Sequence, residues 1–256
     1  VITGSVGKGA KIKATGDVYV LADVDGGVIS AGGSIFIYNG VLRRSSLFAE
    51  GSIFCGFIER AEAATKRDLW VKNAITHSRI QASGKLVVFD PKQAGFLSGS
   101  ATVGRELNAA QIGIEGQRVD ISIKPDVYRE RIQDFKVLLD EILPLAKESQ
   151  NIADMFAIEA QPVAEFLLKE SESPSLTRLA YSKKMSRGVK LTIGAVTMDT
   201  LREEGAGTWK IDGDKLKKDP YEAPEYTESL TRQYWRSSAQ PESSAEVLAK
   251  LRRNVI

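Results

Sequence analysis

A ten-residue phrase that recurs along the first half of the chain is the feature that most constrains the fold. Residues 28–37 read VISAGGSIFI, and this phrase has three close copies and two divergent ones. The copies occupy residues 11–20, 46–55, 62–71, 79–88 and 100–109, and successive copies begin 16 to 21 residues apart. Self-similarity at so short a period predicts a solenoid, in which each repeat forms one coil that stacks on the next.

Apolar residues alternate with other residues on both sides of the centre of the phrase, which predicts two short strands with one buried face. The second position holds Ile12, Ile29, Leu47, Ala63, Ile80 and Ala101, and the eighth holds Val18, Ile35, Ile53, Leu69, Leu86 and Leu107. The fourth position is mostly alanine, as expected where the interior of a coil is narrow. An apolar residue ahead of a phrase predicts a third strand per coil, at Val24, Leu42, Ile58, Ile75 and Phe96.

Glycine is the commonest residue at the sixth position, between the two strands of each phrase. It occurs there as Gly16, Gly33, Gly51 and Gly84, whereas Arg67 and Arg105 take its place in two copies. We expect this position to be a corner whose backbone angles a Cβ atom would resist. The two arginine corners must then be built differently.

These patterns predict a mainly β protein, a right-handed single-stranded parallel β-helix over residues 1–124 with six or seven coils. The residues Ile29, Ile35, Val41, Leu47 and Ile53 lie six apart, which is also typical of the left-handed helix of hexapeptide acyltransferases. The drifting length of the repeat favours the right-handed form.

Helical periodicity interrupts the strand pattern in residues 125–186, where we expect an α-helical hairpin inserted into the solenoid. Apolar residues three and four apart at Ile132, Phe135, Leu139 and Ile142 predict a first amphipathic helix. A second is expected over 152–167, interrupted at Pro162, and a third short one around Leu176 and Leu179. The same apolar stripe could form a coiled-coil seam, but packing within a hairpin is favoured.

Strand periodicity returns in residues 187–216. Val189, Leu191 and Ile193 alternate with polar residues, as do Trp209 and Ile211. We expect these strands to pair with the last coil and to close the exposed end of the solenoid. Residues 217–256 form a polar tail whose end, from Ser243, is typical of a short helix.

Composition excludes several classes of protein. The net charge of +2 gives no reason to expect nucleic-acid binding, and no apolar run is long enough for a membrane span. Cys55 is the single cysteine, so an intrachain disulfide is impossible and a reducing compartment is expected. The sequence begins at Val1, and we therefore expect it to be a fragment of a longer protein.

No catalytic residue, cofactor site or metal site is expected. Lys8 lies in a glycine-rich stretch that lacks the spacing of a phosphate-binding loop. His77, the only histidine, could be the base of an acyltransferase, but an exposed corner histidine is favoured, and Cys55 is too far away to share a metal with it. Asp17 and Asp68 lie three coils apart, so they cannot act as the paired carboxylates of a carbohydrate-active enzyme.

Five basic residues cluster in the third and fourth copies of the repeat: Arg43, Arg44, Arg60, Lys66 and Arg67. They could line one basic flank that binds an acidic protein partner. The alternative, which is favoured, is a set of solvated charges at the corners of the coils.

Four segments are similar to the bacterial flagellar assembly protein A family. They are GSVGKGAKIKATGDVYV at 4–20, SATVGREL at 100–107, GVKLTIG at 188–194 and GTWKIDGDKL at 207–216. The resemblance implies a cytoplasmic, non-enzymatic protein of flagellar assembly or polar placement. We expect a monomeric or dimeric scaffold that binds flagellar or polar assembly factors, with the helical insertion over 125–186 as a candidate docking element. A weaker similarity to the bactofilins implies the alternative of a self-assembling cytoskeletal solenoid. An acyltransferase or a carbohydrate-active enzyme is the less favoured reading.

Overall fold

The computed structural model describes residues 1–90, 95–125 and 177–223. These residues form a β-solenoid made almost entirely of short strands, turns and bends. The first two predicted helices of the insertion and the predicted C-terminal helix lie outside the described residues. No helix of the described part is long and apolar enough to cross a membrane.

The strands, in chain order, are β1 (Lys11–Ala14), β2 (Val18–Val20), β3 (Val24–Asp25), β4 (Val28–Ala31), β5 (Ile35–Ile37), β6 (Gly40–Leu42), β7 (Ser46–Ala49), β8 (Ile53–Cys55), β9 (Phe57–Glu59), β10 (Glu62–Thr65), β11 (Leu69–Val71), β12 (Ala74–Thr76), β13 (Ser78–Ala82), β14 (Lys85–Val88), β15 (Gly95–Phe96), β16 (Gly99–Val103), β17 (Glu106–Ile112), β18 (Val119–Ile123), β19 (Arg178–Met185), β20 (Val189–Ile193), β21 (Val196–Asp199), β22 (Glu204–Asp212) and β23 (Lys215–Asp219).

Equivalent strands of successive coils pair in parallel and in register. The first strands stack in the order β1, β4, β7, β10, β13, β16, β18 and β20, and the second and third strands form a separate sheet. Ile12 pairs with Ile29, and Ile29 pairs with Leu47, as the aligned phrases predict. The predicted solenoid is therefore confirmed, with about six turns. Its right-handed sense stays a prediction.

The core is the stack of inward-facing side chains that the coils share. Ile29, Ile35, Ile53 and Leu86 are each 0% exposed, and the fourth-position alanines Ala31, Ala49 and Ala82 are buried beside them. Each buried aliphatic side chain contributes roughly 1.5–3 kcal/mol to stability. Because every coil contacts only its neighbours, this contribution accumulates along the axis.

The prediction for the third strand was wrong by one residue in the second coil. Val41, rather than Leu42, pairs with Val24 and is fully buried. Leu42 pairs with Asp25 and is only partly buried. Adjacent residues of a strand point to opposite faces, so a shift of one position exchanges the core residue for an outward one.

The third predicted helix is also wrong, because Leu179 lies in the strand β19. This strand pairs in parallel with β17, so that Leu179 stacks on Leu107 and Tyr181 on Ala109. The solenoid therefore resumes at Arg178, and the predicted end of the helical insertion at 186 is too late. Pairing with β17 stabilises the strand more than the short apolar pattern around Leu179 favours a helix.

The returning strands close the C-terminal end of the solenoid. β20 continues the first sheet in parallel, and β21 then pairs with it antiparallel. β22 pairs antiparallel with β19, and β23 with β22. Of the two predicted inward residues on β22, Trp209 is half-buried but Ile211 is 40% exposed. Three lysines on β23 make its outer edge unfavourable for further pairing.

Three of the four glycines at the sixth position, Gly33, Gly51 and Gly84, serve close packing between coils rather than unusual backbone angles. Gly16, Gly33, Gly51 and Gly84 are not among the residues with positive φ. Asp17 Oδ1 accepts a hydrogen bond from Ser34 N–H at 2.6 Å, and a Cβ on Gly33 would overlap with this carboxylate. It would also lie 2.9 Å from Asp17 N. The expected reason for glycine was therefore wrong, although its position at the corner was right.

The arginine corner at Arg67 is indeed built differently. The Thr65 hydroxyl donates to Gly51 O and accepts a hydrogen bond from Arg67 N–H at 3.0 Å. The hydroxyl thus bridges two coils at this corner. The equivalent residues of the neighbouring coils are Ala49 and Ala82, which have no such group.

Candidate interaction surface

The opposite corner, between the third strand of one coil and the first strand of the next, carries a column of residues with positive φ. The column begins with glycine in the first two coils, at Gly9 and Gly26. The next three coils place Arg44, Arg60 and His77 there, with φ of 60°, 51° and 50°. This conformation costs a non-glycine residue roughly 1–2 kcal/mol. Three coils therefore accept strain that glycine would avoid.

A groove of about 760 Å³ runs along this corner. One wall is the column of Arg44, Arg60 and His77. The next coil has the buried Ser98 at this place, and the coil after that adds Arg118 to the wall. The other wall consists of the first residues of the strands and their equivalents, Ser46, Glu62, Arg79, Ser100 and Asp120. The floor consists of small residues, namely Ser45, Ala61, Ser78 and Gly99.

Hydrogen bonds from serine hydroxyls hold the backbone beneath the groove. Ser45 Oγ accepts from Gly26 N–H at 2.9 Å and donates to Val24 O. Ser78 Oγ accepts from Ala61 N–H at 3.2 Å and donates to Thr76 O at 2.7 Å. In the next coil, the buried Ser98 Oγ accepts from His77 N–H. These hydroxyls are engaged in structure, and they fix the positions from which the basic side chains project.

The groove is positively charged but not uniformly so. Arg60 pairs with Glu59 at 3.1 Å, and Arg118 lies 3.9 Å from Asp120, both as exposed pairs that contribute little to stability. Arg44, His77 and Arg79 form no ion pair with the described residues. Glu62 and Asp120 on the second wall add carboxylates between the guanidinium groups. The surface therefore offers many donors and a few acceptors.

The structure divides the five basic residues that the sequence grouped together. Arg44 and Arg60 lie in the groove wall, and Arg43 precedes Arg44 at the same corner with φ of 25°. Lys66 and Arg67 follow β10 and lie at the opposite corner, where Lys66 Nζ is 2.7 Å from Glu50. The less favoured alternative, a single basic flank, is therefore wrong, because the four residues of β10 separate its two halves.

His77 is an exposed corner residue, as predicted, but it lies among the basic residues of the groove rather than alone. Sequence reasoning missed Arg79 and Arg118, which complete the basic lining. The signal was present in the register of the repeat: two residues before the paired residues Ser46, Glu62 and Arg79, successive coils hold Arg44, Arg60 and His77. Reading it required the exact pairing of the first strands.

A second feature missed from the sequence is an aromatic stack on the outward face of the second strands. Tyr19, Phe36, Phe54 and Trp70 occupy the ninth position of successive phrases. Their ring centroids are 4.7, 4.8 and 6.4 Å apart, and the rings are nearly parallel. Such stacking adds roughly 0.5–1.5 kcal/mol per pair. It stabilises the register of the first four coils.

A cluster of charged residues lies near the C-terminal end of the solenoid, at the corner that the sixth position of each phrase forms. Arg178 Nε lies 3.2 Å from Glu106 Oε1, and both side chains are almost fully buried. The same guanidinium binds the exposed Glu222 at 3.2 Å. Burial, reinforced by the Arg105 guanidinium, lowers the pKa of the neighbouring Lys85. This cluster ties β19 to β17 at the point where the chain re-enters the solenoid.

Cys55 lies in the buried core column, as the aligned phrases predict. Burial raises the pKa of its thiol, so the reactive thiolate is strongly disfavoured. Within residues 1–90, 95–125 and 177–223, no group of three or more His, Cys, Asp or Glu residues is placed to hold a metal ion.

We expect the Cys55 thiol to resist alkylation in the folded protein. Labelling with N-ethylmaleimide at pH 8 should be at least about 100-fold slower than in guanidinium chloride, because access requires local opening of the core. Mass spectrometry of timed samples measures this ratio. Prompt labelling of the folded chain would show that the column is open to solvent.

Comparison with protein-family models matches residues 1–165 to the Flagellar Assembly Protein A beta solenoid domain. The matched range includes every residue that lines the groove. Comparisons with curated proteins and with solved structures gave no match.

Proposed function

This chain belongs to the flagellar assembly protein A β-solenoid family, and from that membership we propose that it acts in bacterial flagellar assembly as a scaffold that binds other proteins. The observation that carries the proposal is the family match over the solenoid, which includes the groove. We further propose that it works in the cytoplasm, since a single buried cysteine suits a reducing compartment.

The chemistry of the groove supports binding rather than catalysis. An enzyme that forms an acyl intermediate needs a hydroxyl of its own that a base can deprotonate, and the hydroxyls of Ser45 and Ser78 instead donate to backbone carbonyls. Guanidinium groups on a rigid backbone suit the recognition of carboxylates. A non-enzymatic role through protein contacts is the simplest use of such a surface.

The closed C-terminal end opposes the alternative of a bactofilin-like filament. Growth of a solenoid by end-to-end stacking needs open parallel strands at both ends. Here β21 and β23 pair antiparallel, and β23 presents three lysines along its edge. We therefore propose a monomer or dimer, which light scattering distinguishes from filaments at high concentration.

Deletion of the gene in its flagellated host tests the proposal. We expect fewer or misplaced flagella and reduced swimming in soft agar, both restored by the full-length gene. Electron microscopy of flagellar number and position gives the direct measurement. Wild-type flagellation in the deletion strain would contradict the proposed function, whatever the groove binds in vitro.

A further inference from the structure

We propose that the groove binds an acidic segment of a partner protein that presents carboxylates about every 5 Å, as one face of an α-helix does. The inference rests on the proposed function, because the groove would be the surface through which the scaffold binds its partner, and the acidic segment would be the part of the partner that is bound. It concerns the wall formed by Arg44, Arg60, His77 and Arg118, with Arg79 opposite.

The spacing of the basic column matches the pitch of a helix. Neighbouring coils are separated by the interstrand distance of about 4.8 Å, so Arg44, Arg60 and His77 offer one donor group per coil. A helix advances about 5.4 Å per turn, and residues three or four apart share one face. The mismatch of about 0.6 Å per step is small beside the reach of an arginine side chain.

The strained backbone points to selection for side chains at this column. Coils that carry glycine at the same place, at Gly9, Gly26 and Gly188, adopt the conformation without penalty. Arg44, Arg60 and His77 adopt it at a cost to stability. The three costly positions are consecutive, and all three line the groove. A charge that is merely solvated at a corner would not require a residue with this conformational cost.

The mixed charge of the second wall favours a peptide over a nucleic acid. Glu62 and Asp120 would repel a backbone that carries a phosphate every 3.4 Å or so. A helix with an acidic face can instead place a lysine or an amide against these two carboxylates. The net charge of +2 also supplies little general attraction for a polyanion.

Fluorescence anisotropy with two synthetic peptides tests the proposal on the full chain. The probe is a labelled alanine-rich helical 20-mer with glutamate at every third or fourth position, and its control has glutamine at those positions. We compare Arg44→Gly/Arg60→Gly with Lys66→Gly/Arg67→Gly, which removes two positive charges from the opposite corner. Gly26 and Gly32 or Gly33 already occupy the equivalent positions, so both variants keep residues that the fold accepts.

The glutamate peptide should bind the wild type, and the groove variant should weaken binding roughly tenfold. This is the combined effect on the Kd that the loss of two exposed ion pairs should have. The opposite-corner variant should bind as the wild type does. The melting temperature of the groove variant should be unchanged or higher, because glycine relieves the strain. Arg44→Asn/Arg60→Asn repeats the test with a residue that tolerates positive φ.

Three results would overturn the proposal: no binding of the glutamate peptide, equal binding of the glutamine peptide, or equal losses in the two glycine variants. Tighter binding of a DNA duplex or of anionic vesicles through Arg44 and Arg60 would overturn it as well. A flagellar defect in the deletion strain together with any of these results would reject the groove and leave the proposed function in place.

Discussion

Replacing Glu106 by alanine should lower the free energy of unfolding by about 3–5 kcal/mol. The substitution leaves the buried Arg178 guanidinium without its one buried partner among the described residues, while Lys85 and Arg105 add positive charge nearby. Removing one member of a buried ion pair is costly, because the remaining charge has lost its hydration and is no longer compensated. Urea denaturation followed by circular dichroism measures the change.

Two variants separate this effect from a general loss of charge. Glu222→Ala removes the other carboxylate that contacts Arg178, but its side chain is 58% exposed, so the expected cost stays below about 1 kcal/mol. Glu106→Met/Arg178→Met replaces the pair with apolar groups and should cost less than Glu106→Ala alone. Equal effects of Glu106→Ala and Glu222→Ala would show that the Glu106 pair does not anchor β19.

Gly33→Val should lower the free energy of unfolding by about 3 kcal/mol, whereas Gly16→Val should change it by less than about 1 kcal/mol. Both glycines occupy the sixth position of a phrase, and neither has positive φ. A Cβ on Gly33 would displace the Asp17 carboxylate and the hydrogen bond that it accepts from Ser34 N–H. Gly16 has no atom within 4 Å of the same place.

The comparison distinguishes two explanations for the glycine column. If the corner required a special backbone conformation, valine would be equally harmful at both positions. If the neighbouring coil is the constraint, only Gly33 is sensitive. Chemical denaturation of both variants against the wild type decides between them, and similar losses at Gly16 and Gly33 would reject the packing explanation.

The columns of the solenoid were predictable because a period of two within each strand and a repeat of 16 to 21 residues leave little choice of pairing. Ile29 can stack on Ile12 in only one register without turning its neighbours outward. The strands over 188–216 were predictable from the period of two alone. β19 was not, because its pattern is weak and its partner, β17, lies more than 60 residues earlier in the chain.

The groove was only partly predictable. Arg44, Arg60 and His77 stand out in the sequence as charges, but their common column depends on the register of the strands that follow them. The grouping of Arg60 with Lys66 failed because proximity along the chain does not imply proximity across β10. The reason for Gly33 also lay outside the local sequence, since it depends on a carboxylate 16 residues earlier, in another coil.

The two ends of the predicted insertion meet the solenoid at a single corner. Lys124 N–H donates to Val103 O, and Arg178 N–H donates to Arg105 O, so both ends lie beside one short corner of the previous coil. Excursions of very different length can therefore begin and end here without disturbing the stacked coils. The corner is a natural attachment point, at which the length of the connecting segment can change while the coils on either side keep their register.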